Sequence, residues 1–247
     1  MSKRIVVIGA TSAIAQACSR LWCSEESPEF VLVGRDRGKL QAVANDLEVR
    51  NADAVTQVCI CNFLDEREIQ ALAKSLGEQG RMDIVLVAHG TLPEQLQCQQ
   101  DLVKAKDAMT INGLSPAYFA EAFAGQLEKQ NSGALVVIGS VAGDRGRQSN
   151  YVYGASKGLV ERYVQGLQHR LAGTGVQVTL VKPGPTQTPM TAKMDGHEKM
   201  APVEEVASCI INGVRRGKST IYAPTKWALI MFIIKHLPRF IFNRMKI

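Results

Sequence analysis

Short apolar runs alternate with stretches of helical periodicity along most of the chain. The runs are rich in β-branched residues and contain few polar positions, which is typical of strands buried on both faces of a parallel sheet. They lie at residues 3–9, 30–34, 54–60, 83–88, 134–139, 177–181 and 219–223, and helical patterns occupy 36–50, 66–77, 104–129, 153–171 and 203–216. This alternation predicts an α/β fold with a doubly wound parallel sheet.

One stretch, from Ser140 to Lys157, contains side chains suited to carbonyl chemistry. Ser140 follows the run at 134–139 and is expected at the carboxyl end of the sheet, where open α/β proteins bind their ligands. Tyr153 and Lys157 are four residues apart and share one helix face. A nearby ammonium is expected to lower the tyrosine pKa from about 10 toward a value useful in acid–base catalysis. With Ser140 as a hydrogen-bond donor, and with no metal-ligand cluster in the sequence, this set predicts the interconversion of a ketone and an alcohol.

The turn after the first apolar run is suited to binding a dinucleotide. It begins at Gly9, and backbone N–H groups at the start of the next helix can contact a pyrophosphate. Ala13 and Ala15 stand where glycines are expected, so an ordinary tight turn remains the alternative. At the end of the second run, Arg35 can accommodate the 2′-phosphate of NADPH, the alternative being a solvated charge pair. The sequence therefore favours NADPH, with NADH as the second choice.

Two further residues each allow more than one interpretation, and one further segment is a candidate lid. Asn112 lies in an apolar stretch and indicates either a helix kink near the following proline or a polar group that holds a water. His89, at a strand–loop junction, is either a hydrogen-bond partner or a direct participant in the reaction. Residues 190–202 have weak periodicity and are a candidate substrate lid. The adaptable side chains of this segment are Met190, Met194 and Met200.

Composition narrows the class of ligand and the expected location. The net charge of +6 suits an anionic ligand or a membrane surface. Basic residues gather beside aromatic residues only at the C-terminus, so no nucleic-acid partner is expected. The six cysteines lack metal-finger and C-x-x-C spacing, and no signal peptide is recognisable, so we expect a cytoplasmic protein with reduced thiols. No run reaches the roughly 20 apolar residues of a membrane-spanning helix.

Residues 225–247 form a C-terminal segment distinct from the domain predicted at 1–224. Pro238 is expected to end one helix of this segment and to begin a second. Its apolar and aromatic side chains stand beside four basic residues, a composition suited to a membrane interface. These residues are Lys235, Arg239, Arg244 and Lys246. The alternative is a subunit interface, which also requires exposed apolar surface, but we favour peripheral contact with the inner face of the cell membrane.

These motifs together resemble the short-chain dehydrogenase/reductase family over essentially the whole chain. The resemblance rests on Gly9-x-x-x-Ala13-x-Ala15, Asn112, Ser140, Tyr153, Lys157 and Pro183-Gly184. It implies a seven-stranded Rossmann sheet, a homodimer or homotetramer and a small-molecule substrate. It also implies that Tyr153 is the general acid and that Ser140 positions the carbonyl. Lys157 would lower the tyrosine pKa and hold the nicotinamide ribose, and Asn112 would anchor a proton-relay water.

The expected cofactor contacts extend along the carboxyl edge of the sheet. They are Gly9, Thr11, Ser12, Ala13, Ile14, Arg35, Asn62, Phe63, Ala88, His89, Gly90, Tyr153, Lys157, Pro183, Gly184, Thr186 and Thr188. Three features depart from the family pattern: the two alanines of the glycine turn, Asn62 where an aspartate usually faces adenine, and Ala88-His89-Gly90 in place of Asn-Ala-Gly. The departures affect the expected cofactor affinity rather than the reaction.

A narrower resemblance concerns the substrate. The motifs Ala88-His89-Gly90, Ser140-Val-Ala-Gly-Asp-Arg145, Tyr151-Val-Tyr-Gly-Ala-Ser-Lys157 and His236-Leu-Pro-Arg-Phe-Ile-Phe are similar to decaprenylphosphoryl-2-keto-erythro-pentose reductases. That likeness implies a keto group on a lipid-linked sugar and a flavoprotein oxidase as partner in a two-step epimerisation. The alternatives are a soluble 3-oxoacyl or steroid-type reductase and a non-catalytic dinucleotide-binding redox sensor or partner subunit.

Overall fold

Seven parallel strands form one sheet in the computed structural model, which describes residues 3–24 and 28–245. They are β1 (Arg4–Ile8), β2 (Glu29–Gly34), β3 (Val55–Ile60), β4 (Ile84–Val87), β5 (Gly133–Ile138), β6 (Val176–Pro183) and β7 (Thr220–Ala223). Their order across the sheet is β3-β2-β1-β4-β5-β6-β7. The predicted α/β fold with a doubly wound parallel sheet is thereby confirmed.

Helices connect the strands and cover both faces of the sheet, and further helices follow β7. They are α1 (Ala13–Cys23), α2 (Arg37–Arg50), α3 (Glu66–Gln79), α4 (Gln95–Gln100), α5 (Leu102–Met109), α6 (Ser115–Gln130), α7 (Tyr151–Leu171), α8 (Val203–Arg215), α9 (Lys226–His236) and α10 (Arg239–Phe242). The pattern at 104–129 is divided between α5 and α6 by a π-helical turn, Thr110–Leu114, which contains Asn112. Helix α4 was not predicted, because its sequence QLQCQQ has no apolar periodicity.

The core consists of two apolar layers, one on each face of the sheet. Successive residues of β1 alternate between them: Ile5 and Val7 belong to one layer, Val6 and Ile8 to the other. All four side chains are fully buried. Burial on both faces explains why the strands are nearly continuous apolar runs rather than alternating ones.

The strand order reverses beside β1, which pairs with β2 on one side and with β4 on the other. In open α/β sheets such a reversal leaves a crevice at the carboxyl ends of the strands, where ligands bind. Gly9, which follows β1, and His89, which lies just beyond β4, meet at this point: a Cβ on Gly9 would lie 2.8 Å from the Cβ of His89. Gly9 also has φ of 78°, so the turn requires glycine both for space and for conformation.

The segment between β5 and α7 is packed tightly against α7. A Cβ on Gly143 would lie 2.8 Å from the carbonyl carbon of Lys157, and one on Gly154 would lie 2.8 Å from the carbonyl oxygen of Ala142. The two glycines therefore let the backbone after Ser140 approach the first turns of the helix. As a result, the serine and the helix residues that were predicted to act together lie on elements in direct contact.

A buried ion network fixes the same segment from the other side. Asp144, whose side chain is fully buried, pairs with Lys182 of β6, and Lys182 Nζ also lies 2.8 Å from Glu161 Oε1 of α7. Tyr222 of β7 donates a hydrogen bond of 3.0 Å to Asp144. Burial alone would lower the pKa of Lys182, but the hydrogen bonds to both carboxylates outweigh it and raise that pKa.

The C-terminal segment forms two short helices separated at Pro238, as predicted. Arg145 holds them against the loop after β5: its Nη1 donates to the carbonyl oxygens of Ile234 and Leu237, the latter at 2.8 Å, and its guanidinium lies 3.8 Å from the centroid of the Phe242 ring. At the start of α9, the Trp227 indole packs so closely on Gly184 that a Cβ there would overlap it.

Much of the apolar surface of this segment is exposed. The exposed fractions are 67% for Leu229, 63% for Phe232, 54% for Ile233 and 67% for Phe240. Among residues 3–24 and 28–245, no helix has the length and apolar character needed to cross a bilayer. Lys246, one of the four basic residues predicted to contact the membrane, lies outside the described residues.

Replacing Arg145 with alanine should loosen α9 and α10 while the central sheet remains intact, because it removes the donor to the last carbonyls of α9. We expect faster amide hydrogen exchange at residues 226–242 and a loss of stability on the order of 1 kcal/mol. The matched control is Arg239→Ala, which removes an exposed arginine from the same segment. Equal exchange rates in the two variants would show that Arg145 does not anchor the segment.

Candidate active site

Three of the four predicted catalytic residues converge on one cavity of about 240 Å³ at the carboxyl edge of the sheet, and Asn112 does not line it. Ser140, Tyr153 and Lys157 all line it. Ser140 is separated from the end of β5 by Gly139 and has an extended backbone, and its Oγ accepts a hydrogen bond of 3.1 Å from the backbone N–H of Ala142. Tyr153 and Lys157 project from the first two turns of α7. The cavity thus presents a phenol and a hydroxyl to the same space, the pair needed to hydrogen-bond a carbonyl oxygen.

The pKa of Tyr153 moves in the direction opposite to that predicted from the sequence. Burial raises it above the ordinary value of 10.0, and a hydrogen bond with Ser140 lowers it by less. Lys157 does not offset the burial, because its Nζ lies 5.9 Å from the centroid of the tyrosine ring and donates instead to the carbonyl oxygen of Ile138 at 3.0 Å. Tyr153 therefore keeps its proton at neutral pH, which suits a proton donor.

Lys157 is itself strongly affected by its surroundings. It is 3% exposed, and burial lowers its pKa from 10.5 to about 8. Its amine therefore changes charge near physiological pH, in contrast to an ordinary lysine. A lysine of this kind can hold or pass on a proton beside the cavity.

Asn112 is fully buried, and its side chain is engaged by the protein. Its Oδ1 accepts a hydrogen bond of 2.8 Å from the backbone N–H of Thr91, and its Nδ2 donates to the carbonyl oxygen of Ala108 at 2.9 Å. These bonds connect the π-helical turn to the loop after β4. A Cβ on Gly90 would lie 2.9 Å from Asn112 Oδ1 and 3.8 Å from Lys157 Nζ, so the two polar groups flank the same glycine. The relay role of Asn112 stays a prediction.

A second cavity of about 300 Å³ adjoins the first, since residues such as Ser12, His89 and Thr188 line both. Most of the predicted cofactor contacts lie here: Gly9, Thr11, Ser12, Ala13, Ile14, Arg35, Phe63, His89, Gly90 and Thr188. Ala88, Pro183, Gly184 and Thr186 line the first cavity instead. Asn62 is exposed and lines neither; its Oδ1 caps the local turn by accepting from the backbone N–H of Leu64.

The second cavity fits an elongated anionic dinucleotide in shape and chemistry. It begins at the N-terminus of α1, whose backbone N–H groups favour a phosphate, and extends to Arg35 at the end of β2. Arg35 is exposed, and within residues 3–24 and 28–245 it forms no salt bridge. The neighbouring Asp36 instead caps α2 by accepting from the backbone N–H of Lys39. The alternative of an Arg35–Asp36 charge pair is therefore not what the structure shows.

His89 forms part of the wall between the two cavities. Its Nε2 lies 2.8 Å from Ser115 Oγ, which in turn donates to the carbonyl oxygen of Phe63 at 2.6 Å. Its ring packs edge-on against Phe63 and Phe119 at centroid distances of 4.7 and 5.3 Å. The pKa of His89 is lowered to about 3, mainly by burial and to a smaller extent by the positive charge of Lys157. The neutral ring, bonded to Ser115, therefore fits the interpretation of His89 as a hydrogen-bond partner rather than as a participant in proton transfer.

Sequence reasoning missed several residues that line the first cavity. Arg147, Ser149 and Asn150 come from the loop before α7, and only the density of charge in Gly143-Asp-Arg-Gly-Arg147 marked this loop as unusual. The lid role of residues 190–202 stays a prediction, but part of this segment reaches the cavity. Met190 and Met194 line the cavity and are 46% and 44% exposed, whereas Met200 lines neither cavity.

Known sequences that resemble this chain are dehydrogenases and oxidoreductases. Residues 3–199 match the family model described as short chain dehydrogenase. An uncharacterized oxidoreductase of Streptomyces coelicolor is 30% identical over 243 residues, which cover 98% of this chain and 96% of that protein. An uncharacterized oxidoreductase of Staphylococcus aureus (strain USA300) is 31% identical over 219 residues, which cover 87% and 92% respectively.

Solved structures share the fold at low sequence identity. A short-chain dehydrogenase from Sphingobium yanoikuyae in complex with NADPH superposes with a TM-score of 0.79 at 22% identity, covering 96% of this chain and 97% of that one. A short chain dehydrogenase/reductase from Burkholderia phymatum in complex with NAD has a TM-score of 0.80 at 20% identity, with 94% and 92% covered. These likenesses concern the fold.

Proposed function

The chain belongs to the short-chain dehydrogenase family, and from that premise we propose that it reduces a keto group to a secondary alcohol with NADPH, NADH being the second choice. One observation carries the proposal: the cleft that fits a dinucleotide opens into the cavity that holds Ser140, Tyr153 and Lys157. A cofactor in the cleft and a ketone in the cavity would be neighbours. The NADPH and NAD bound to the two solved relatives support a nicotinamide cofactor.

Each residue of the set has a distinct task in this reaction. NADPH supplies a hydride to the carbonyl carbon when it is bound. Ser140 donates a hydrogen bond that orients the carbonyl oxygen, and Tyr153 transfers its phenolic proton to that oxygen as negative charge develops there. Lys157, with a pKa of about 8, would return a proton toward the tyrosine and would hold the nicotinamide ribose, while Asn112 would anchor the relay water.

For the substrate, we propose a keto group on a lipid-linked sugar. The support is the likeness to decaprenylphosphoryl-2-keto-erythro-pentose reductases together with the exposed apolar side chains of α9 and α10. In this proposal the protein is a cytoplasmic homodimer or homotetramer that contacts the inner face of the membrane and works beside a flavoprotein oxidase. Its rival is a soluble 3-oxoacyl or steroid-type reductase, which would not need the exposed segment.

A non-catalytic redox sensor is the alternative from another functional class. A sensor would bind the dinucleotide through the cleft and would have no need of a proton donor in the adjoining cavity. The half-buried Tyr153, which lines the same cavity as Ser140, therefore favours an enzyme.

Tyr153→Phe should remove most of the reductase activity, because the ring is kept and only the proton donor is lost. General acid–base groups contribute roughly 10²- to 10⁴-fold, and we expect kcat to fall within that range while the Kd for NADPH stays within a few-fold. Tyr163→Phe is the matched control, since Tyr163 lies on the outer part of α7 and hydrogen-bonds to Glu121. Activity near that of the wild type in Tyr153→Phe would rule out this mechanism.

Arg35→Ala should narrow the preference for NADPH over NADH. A charge-assisted hydrogen bond contributes about 1.5–3 kcal/mol, or roughly 10- to 150-fold in affinity. The measurement is the Kd of each cofactor from the quenching of protein fluorescence, with Arg37→Ala as the control at the start of α2. If the wild type binds both cofactors equally well, Arg35 does not read the 2′-phosphate.

The double variant Leu229→Gln/Phe232→Gln should lose affinity for anionic vesicles but keep its fold, since both side chains are mostly exposed. The wild type should co-float with the vesicles, and binding should weaken as salt rises, since each nearby lysine or arginine contributes about 1 kcal/mol. Leu96→Gln/Leu102→Gln, at sites that are 70% and 81% exposed, is the control. If the wild type does not float at low salt and the first variant has a smaller oligomer mass, the segment is a subunit interface.

A further inference from the structure

An arginine whose Nε is buried, and which the proposed reaction does not use, lines the cavity of Ser140 and Tyr153. Arg147 lines the cavity from the loop that leads into α7. Asn150, the last residue before this helix, lines the same cavity. Neither lines the dinucleotide cleft. None of the described residues that line this cavity is an aspartate or a glutamate, so the protein supplies no anion there.

The hydrogen-bonding capacity of these two residues is incompletely used. Arg147 Nε and Asn150 Oδ1 are both buried, and neither has a hydrogen-bond partner among the described residues. Burial lowers the pKa of Arg147, with no neighbouring charge opposing it. Other arginines have hydrogen-bond or ion-pair partners in the protein. Arg145 binds the end of α9, and Arg170 pairs with Glu121 and Glu128. A guanidinium whose Nε is buried without a partner lacks one hydrogen bond unless a ligand supplies an acceptor there.

Guanidinium and amide groups together define what kind of ligand would satisfy the site. A guanidinium presents a planar set of N–H donors that matches the oxygens of a phosphate. The amide oxygen of Asn150 accepts a hydrogen bond and therefore suits a hydroxyl group. The cavity that already contains a proton donor for a carbonyl thus combines three features: a carbonyl site, an anion site and a hydroxyl site.

We propose that Arg147 binds a phosphate ester of the substrate, so that the preferred substrate is a hydroxylated ketone with a phosphate near its carbonyl. This inference rests on the proposed function and adds the chemical class of the group beside the ketone. The phosphate belongs either to a soluble sugar phosphate, which is a monoester, or to a lipid-linked sugar, which is a diester.

The test compares hydroxyacetone with its phosphate monoester and its methyl phosphodiester at saturating NADPH. The wild type should have a higher kcat/KM for at least one ester than for hydroxyacetone. In Arg147→Met, kcat/KM for that ester should fall by roughly 10- to 150-fold more than kcat/KM for hydroxyacetone. Most of this difference should come from a higher KM for the ester. Arg147→Lys should restore part of the difference. Arg162→Met is the control, since Arg162 lies on the exposed face of α7 and contacts Gln165.

The outcomes separate the two claims. The phosphate site would be overturned if Arg147→Met lost equal fractions of kcat/KM for the ester and for hydroxyacetone. It would also be overturned if the wild type reduced hydroxyacetone but neither ester better. If the wild type reduces none of the three compounds, calorimetric titration of the esters into the NADP⁺ complex decides. Binding that is weakened by Arg147→Met then retains the phosphate site while the proposed reaction fails, and absence of binding overturns both. A preference for the diester indicates a lipid-linked source, and a preference for the monoester a soluble one.

Discussion

The buried ion network of Lys182, Asp144 and Glu161 is the constraint on which the geometry of the site depends. Removing one partner of a buried ion pair typically costs 3–5 kcal/mol, so each of these side chains requires the others. The three residues belong to β6, to the turn after Ser140 and to α7, and none of these segments can shift alone without breaking a pair. Ser140 and Tyr153 lie on two of them. The network therefore sets their relative position without taking part in the chemistry.

The same turn also joins the site to the rest of the molecule. Asp144 points into the ion network, Arg145 binds the end of α9, and Arg147 lines the cavity. Three charged residues in a run of four thus serve the core, the C-terminal helices and the candidate substrate site. Because they share one short stretch of backbone, the position of Ser140, the docking of α9 and the direction of Arg147 are determined together.

Sequence patterns predicted those parts of the structure that depend on local rules. The strands were found because burial on both faces requires apolar runs, and Tyr153 and Lys157 were found because residues four apart share a helix face. Effects that depend on residues distant in the sequence could not be predicted from these patterns. The direction of Arg147 depends on an ion pair between Asp144 and a strand 38 residues further on. The pKa of Tyr153 was predicted in the wrong direction, because spacing shows the nearby lysine but neither the burial of the phenol nor the bond of Lys157 to Ile138.

Burial gives Tyr153 and Lys157 opposite pKa shifts that favour the same chemistry. The tyrosine pKa is raised above 10.0 and the lysine pKa is lowered from 10.5 to about 8, so the two values move apart and the passage of a proton from the Lys157 ammonium to a Tyr153 phenolate is favourable. A phenol that retains its proton is better suited to protonating a forming alkoxide than to removing a proton from an alcohol. The electrostatics of the cavity therefore match the reducing direction, and the positive charge of Arg147 in the same space is compatible with a substrate that enters as an anion.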